Sequence, residues 1–225
     1  MLIKKKLTKP DIFLIAANIV PIIGAWFFDW DARQIFMVYA LETVIIGFFT
    51  LVKMAIATAF RKKDTWFSEG KSMQVSGLFF MFFFLIHYGF FVAIQTGMFV
   101  QVSGISKEFH MGFFDFFLKW PQYLGKDAYY MLAGFVISYG FNMIWNFVRP
   151  GHYRTVSLSL LMFQPYIRIF IQQLTVILGS MFLIFGAGKI FIIVFAFVKT
   201  FFEVIIDYES ILKKSMADLP KKSGQ

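Results

Sequence analysis

Residues 73–102 read MQVSGLFFMFFFLIHYGFFVAIQTGMFVQV, and this stretch decides the fold class. It contains no Asp, Glu, Lys or Arg, and it exceeds the roughly 20 apolar residues that a helix needs to cross a bilayer. The rest of the chain is similar, because 59% of its 225 residues are hydrophobic, 21% are aromatic and only 16% are charged. Soluble domains average about 45–50% apolar and about 25% charged residues, so the composition predicts an integral membrane protein.

Six stretches pass the same test of length and composition, and they predict an all-α bundle of six transmembrane helices. These spans are expected at about 12–28, 33–60, 73–102, 128–148, 165–187 and 189–206. They form one predicted domain over residues 1–215. The remaining residues, 216–225, are expected to be a disordered tail.

Two connections between the predicted spans contain apolar residues of their own. Residues 103–127 are rich in Phe, Trp and Tyr, which favours a short helix that lies in the membrane interface. Residues 149–164 begin with Arg-Pro-Gly and then turn apolar. They predict either a surface or re-entrant segment, or an early start of the fifth helix with a kink at Pro165.

The basic residues predict the orientation of the spans. With the N-terminus inside, the inner segments hold 14 Lys or Arg residues and the outer segments hold 5. This bias follows the positive-inside rule, so both termini are expected to be cytoplasmic. It also explains most of the net charge of +9 without a nucleic-acid partner, because no segment is long enough to form a separate basic domain.

Polar and ionisable side chains within the spans are the candidate ligand-binding residues, because each charged group costs about 2.5–3.5 kcal/mol on insertion scales. The sequence assigns none of them a catalytic role. The candidate set is Glu42, Lys53, His87, Tyr88, Arg168, Gln172, Lys199, Glu203 and Asp207.

Helix geometry indicates which of these residues share a depth. Glu42 and Lys53 lie on nearly one face of the second span, but a rise of 1.5 Å per residue separates them by about 16 Å, so they are not expected to pair. Lys199, Glu203 and Asp207 follow at i+4 spacing and form one polar stripe. Glu42 and His87 are expected to lie nearer the outer side. The inner half is expected to hold Lys53, Asn146, Arg168, Gln172 and Glu203, with Lys199 at its edge.

The polar set supports more than one role. Its members could form interhelical ion pairs that fix helix packing, or line an inner-leaflet pocket for a small solute, an ion or a lipid headgroup. The leading hypothesis is binding or transport through that cluster. The alternatives are a structural or accessory subunit of a membrane complex and a small lipid-modifying intramembrane enzyme.

The sequence predicts no metal and no cofactor. His87, His110 and His152 are expected at three different depths, so they cannot converge on one metal ion. The chain has no cysteine, which removes thiolate sites and redox relays.

Several short motifs resemble an uncharacterised family of bacterial polytopic inner-membrane proteins. They include Asn18-Ile-Val-Pro, Tyr39-Ala-Leu-Glu, His87-Tyr-Gly-Phe-Phe and Pro165-Tyr-Ile-Arg, with the later Lys199 and Asp207. The resemblance implies no activity. It implies a multi-pass protein of the bacterial plasma membrane, whose partners are the lipid bilayer and, in the accessory role, other membrane subunits.

Overall fold

A computed structural model describes residues 7, 9–68, 71–102, 104–110, 112 and 114–205 of the chain. The predicted tail at 216–225 lies outside the described residues. The described part is mostly helical, as the sequence predicts. Its elements are α1 (Lys9–Phe27), α2 (Ala32–Phe60), β1 (Lys63–Ser68), β2 (Lys71–Ser76), α3 (Gly77–Val102), α4 (Ile105–Glu108), α5 (Asp115–Tyr123), α6 (Lys126–Met143), α7 (Leu158–Ile184) and α8 (Gly188–Thr200).

Turns of other helix types extend three of these regions. A π-helical turn at Ile144–Val148 continues α6, and another at Phe201–Ile205 continues α8. A short 3-10 turn at His152–Arg154 precedes α7. In the described part of the chain, three helices are long and apolar enough to cross a membrane: Ala32–Phe60, Gly77–Gln101 and Lys126–Val148.

Helix α2 is the centre of the bundle. It packs against α3, α6, α7 and α8, and every residue from Ile35 to Thr43 is buried. A helix that is buried on all sides has to be apolar all round, and this segment is apolar except at its last two residues, Glu42 and Thr43. The fold therefore encloses Glu42 on every side.

The turn between α1 and α2 is tight. Trp30 donates its backbone N–H to the carbonyl of Gly24 at 3.0 Å, and the indole of Trp30 occupies the space where a Cβ on Gly24 would lie. Asp31 then begins α2, because its carboxylate accepts the N–H of Arg33 at 2.8 Å. These contacts fix the short connection between α1 and α2.

A two-stranded antiparallel hairpin connects α2 to α3. Trp66 pairs with Met73 in its register, and the indole packs 5.5 Å from the ring of Phe80. The third predicted span began at Met73, but residues 73–76 are in β2 and the helix begins at Gly77. The apolar residues Met73 and Val75 made this strand look like the start of the helix.

Helix α7 begins at Leu158, seven residues before the predicted start at Pro165. The Asp64 carboxylate in β1 accepts the N–H of Leu158 at 2.6 Å and also pairs with Arg61 at 3.3 Å. Arg61 donates to the carbonyl of Val156 as well. Of the two readings of residues 149–164, the structure supports the early helix start, since the hairpin caps it.

The segment between α3 and α6 contains the short helices α4 and α5. Gln34 of α2 holds it by accepting the N–H of Gly125 at 2.9 Å. At the start of α5, the backbone N–H of Gly112 and the ammonium of Lys119 hold the pKa of Asp115 below its usual value. The short helices α4 and α5 agree with the expectation of a short helix in this connection.

The two ends of the bundle differ in charge. Where α1 begins and α2 ends, the described side chains include Lys9, Arg61, Lys62, Lys63, Arg149 and Arg154 against Asp11 and Asp64. At the opposite end, cations and anions balance: Arg33, Lys107, Lys119, Lys126 and Lys189 against Asp29, Asp31, Glu108, Asp115 and Asp127.

Candidate functional site

Four helices meet at a buried ion pair. The ammonium of Lys199 in α8 lies 2.8 Å from Oε1 of Glu42 in α2, and the two side chains are 1% and 0% exposed. Helices α1 and α6 complete the enclosure, since both also contribute side chains to the pair. This set, Glu42, Lys199, Asn18 and Tyr139, is called the central cluster below.

Asn18 and Tyr139 hold one charged group each. The Lys199 ammonium donates to Oδ1 of Asn18 at 3.0 Å, and the Tyr139 hydroxyl donates to Oε1 of Glu42 at 2.7 Å. Lysine has only donors, so this contact fixes the orientation of the Asn18 amide. The Nδ2 of Asn18 is then left buried without a hydrogen-bond partner among the described residues.

Two aromatic rings also lie near the ammonium. Its nitrogen lies 5.0 Å from the centroid of the Phe135 ring and 5.7 Å from that of Tyr39. Phe195 packs against Tyr39 with ring centroids 4.2 Å apart. Cation–π contacts of this kind gain strength when water is excluded, so the rings add to the stabilisation of Lys199 in its charged form.

The central cluster can do one thing that an apolar contact cannot. A lone buried charge is strongly unfavourable, so separating Glu42 from Lys199 would require a proton, another ion or water to compensate for the lost partner. The Tyr139 hydroxyl donates to the same Oε1 of Glu42 that contacts the Lys199 ammonium.

A second polar contact joins α3 to α2. The Tyr88 hydroxyl of α3 donates to the backbone carbonyl of Thr43 at 2.6 Å. Its neighbour His87 is exposed, stacks on Phe83 and shares a hydrogen bond of 2.8 Å between its Nδ1 and the Tyr166 hydroxyl. Tyr88 therefore contacts the residue next to Glu42, whereas His87 contacts α7.

The structure brings together only part of the predicted set. Glu42 and Lys199 meet, His87 and Tyr88 form the separate contact with α7 and α2, and Lys53 lies half-buried with its nitrogen 5.9 Å above the Phe147 ring. The other members are outside the description: the side chains of Arg168, Gln172 and Glu203, and the whole of Asp207.

The expected separation in depth of Glu42 and Lys199 was wrong. Lys199 was placed about halfway across, at the edge of the inner half, and Glu42 nearer the outer side, whereas the two side chains are in contact. Sequence reasoning also missed Asn18 and Tyr139, although both are buried polar residues within predicted spans. Their proximity could have been predicted by counting residues inward from the helix ends on one side of the bundle. This count puts all four residues of the central cluster at similar depths.

Among the described residues, no three His, Asp or Glu side chains come close enough to hold a metal ion. The helical bundle with its enclosed ion pair defines the class: a helical protein with apolar helices of membrane-spanning length and charged residues in its core. The chain belongs to a family of unknown function, DUF6498, whose family model matches residues 1–222. The expectation of an uncharacterised family is thus confirmed. No curated protein and no solved structure matches the chain.

Proposed function

We propose that the chain is a six-span protein of a bacterial plasma membrane with both termini in the cytoplasm. The charge difference between the two ends of the bundle supports this orientation, because Lys and Arg concentrate on the cytoplasmic side of membrane proteins. On this placement, α1, α7 and α8 span the membrane together with α2, α3 and α6.

We infer that this protein binds or transports a small solute or ion, and that protons pass through the central cluster even when no other solute is bound. The observation that carries the proposal is the Lys199–Glu42 contact of 2.8 Å at an exposure of 1% and 0%. Charged groups inside a membrane are costly and typically mark ion or substrate pathways. The unpartnered Nδ2 of Asn18 supplies a donor for a solute that reaches the cluster.

The site differs from the inner-leaflet pocket expected from the sequence. It lies about 15 Å from the helix ends that face away from the basic end, since Glu42 comes ten residues after Ala32 at 1.5 Å per residue. That is half of a hydrocarbon core of about 30 Å. A solute bound there would be equally far from both aqueous phases, as alternating access requires.

One observation favours a second role, that of a structural or accessory subunit. The pair is completely enclosed, and a closed pair that links α1, α2, α6 and α8 would fix helix packing without ever opening. The two roles make opposite predictions for a neutral version of the pair. Only an ion-coupled function requires charge at these positions.

Proton movement tests the proposal directly. The purified protein is reconstituted into liposomes that contain a pH-sensitive dye, and a potassium diffusion potential is imposed with valinomycin. We expect proton entry above that of empty liposomes, and its loss in Glu42→Gln. Asp29→Asn is the matched control, because Asp29 forms an exposed pair with Lys189 at 2.7 Å.

The double variant Glu42→Gln/Lys199→Met separates the roles. If the double variant folds as stably as the wild type, the charges are not needed for packing. A loss of proton entry in this variant then shows that the charges are needed for proton movement. Absence of proton entry in the wild type, together with a double variant that co-purifies with the same partner chain as the wild type, would favour the accessory role and overturn the proposal.

A further inference from the structure

Trp145 brings two cations together at the basic end of the bundle. The Lys9 nitrogen lies 4.9 Å from the centroid of the indole ring, and the Arg149 guanidinium carbon lies 4.5 Å from it. Both cationic side chains are exposed, whereas the indole is half-buried. Two like charges near one ring repel each other, and an anion bound close to both would relieve that repulsion.

Aromatic side chains support the indole of Trp145. Phe141 stacks on Trp145 with centroids 5.5 Å apart, and Phe13 of α1 packs 4.6 Å from Phe141. The π-helical turn at Ile144–Val148 shifts the helix face that carries Trp145, since such a turn inserts one extra residue. Arg149 follows at once, before the sharp turn at Gly151, which has a φ of 71°. Trp145 therefore lies within a helical turn, Arg149 caps that turn, and Lys9 is the first residue of α1.

The surrounding charge favours an anion over a cation. The described side chains at this end include six Lys or Arg and two Asp, and one of those two, Asp64, pairs with Arg61 and caps α7. Indole rings also prefer the headgroup level of a membrane, where phosphate groups lie. The position of this Trp along its helix matches that level, because α6 ends here.

We propose that Lys9, Trp145 and Arg149 form a binding site for the phosphate of an anionic membrane lipid. Arg149 and Lys9 would donate charge-assisted hydrogen bonds to phosphate oxygens, which are strong when donor and acceptor are both ionised. Trp145 orients the two cations and contacts the glycerol backbone. The site is independent of the central cluster and depends only on the membrane orientation proposed above.

Lipid retention tests this site. The protein is purified in detergent, mixed with equimolar phosphatidylglycerol and phosphatidylcholine, and the lipids that stay bound are counted by native mass spectrometry. We expect phosphatidylglycerol to be preferred, and Arg149→Gln to weaken its retention roughly three- to ten-fold, as expected for one charge-assisted contact. Trp145→Leu should weaken retention as well, while Trp145→Phe retains part of it because a Phe ring still attracts cations.

Arg154→Gln is the matched control, because Arg154 lies at the same end of the bundle and stacks on Phe60 and Tyr153 instead. An equal loss of lipid in Arg154→Gln would reduce the effect to general surface charge and overturn the site. Equal retention of phosphatidylcholine and phosphatidylglycerol would do the same. Competition by millimolar inorganic phosphate as strong as that of the lipid would assign the site to free phosphate instead. Thermal unfolding of each variant shows that it is folded.

Discussion

The ammonium of Lys199 and the carboxylate of Glu42 are 157 residues apart in the chain and 2.8 Å apart in the fold. Their contact closes α8 onto the buried face of α2. It also joins the most central helix to one that is otherwise apolar on its outer side, where Ile190, Val194 and Phe197 are exposed.

Removing either charge of this pair should destabilise the fold strongly. We expect Lys199→Met or Glu42→Gln to lower the free energy of unfolding by about 3–5 kcal/mol, because each leaves a partner buried without its counter-charge. The double variant should lose less than the sum of the two. Unfolding in one detergent measures all three, with Lys189→Met at the exposed Asp29 pair as a control that should not change stability. Additive losses would contradict a direct interaction.

The Tyr139 hydroxyl should contribute measurably through Glu42. We expect Tyr139→Phe to lower the free energy of unfolding by about 1.5–3 kcal/mol, since it removes a hydrogen bond to a charged acceptor and keeps the ring. Tyr130→Phe is the matched control on the same helix, because the Tyr130 side chain is 71% exposed. A Tyr139 variant as stable as the Tyr130 variant would show that Glu42 does not need this donor.

Close packing of α2 on α3 depends on Gly47. A Cβ at this position would meet the ring of Tyr88, so Gly47→Ala should force the ring outward and weaken its hydrogen bond to Thr43. The expected cost is about 1–3 kcal/mol, typical of overpacking. Gly89→Ala on α3 has open space around it and should leave stability unchanged or raise it slightly, which thermal unfolding measures.

Asp64 should determine where α7 begins. Asp64→Ala removes the acceptor of the Leu158 N–H, and we expect a loss of about 0.5–2 kcal/mol, as for other helix caps. Hydrogen exchange of the first amides of α7 should rise in this variant. Asp64→Asn keeps an acceptor while weakening the ion pair with Arg61, so exchange should rise less. Equal exchange in both variants would mean that the ion pair, not the cap, holds the helix start.

Local sequence patterns were sufficient to predict the helical fold and two members of the site. The apolar runs set the helices, and a charge within such a run identified Glu42 and Lys199. The pairing of the two was missed because depth was estimated separately for each span. Counting residues from the helix ends on one side of the bundle predicts the pairing. Asn18 lies nine residues before Phe27, Glu42 lies ten after Ala32 and Lys199 lies eleven after Gly188.

The hairpin at Lys63–Ser76 was missed for a different reason. Hydropathy detects long apolar runs, whereas these strands are short, mixed and only partly apolar. Their stability comes from tertiary contacts, such as those of Trp66 with Phe80 and of Asp64 with Leu158, that no local pattern records. The early start of α7 follows from the same contacts.

Glu42 is synthesised well before Lys199, because 157 residues separate the two in the chain. Ribosomes make about 5–20 residues per second, so the carboxyl waits roughly 8–30 s for its counter-charge to be made. Asn18 is already present, and Tyr139 follows 97 residues after Glu42. In the membrane placement proposed above, the Glu42 carboxyl would therefore stay without its counter-charge until the last described helix has been made.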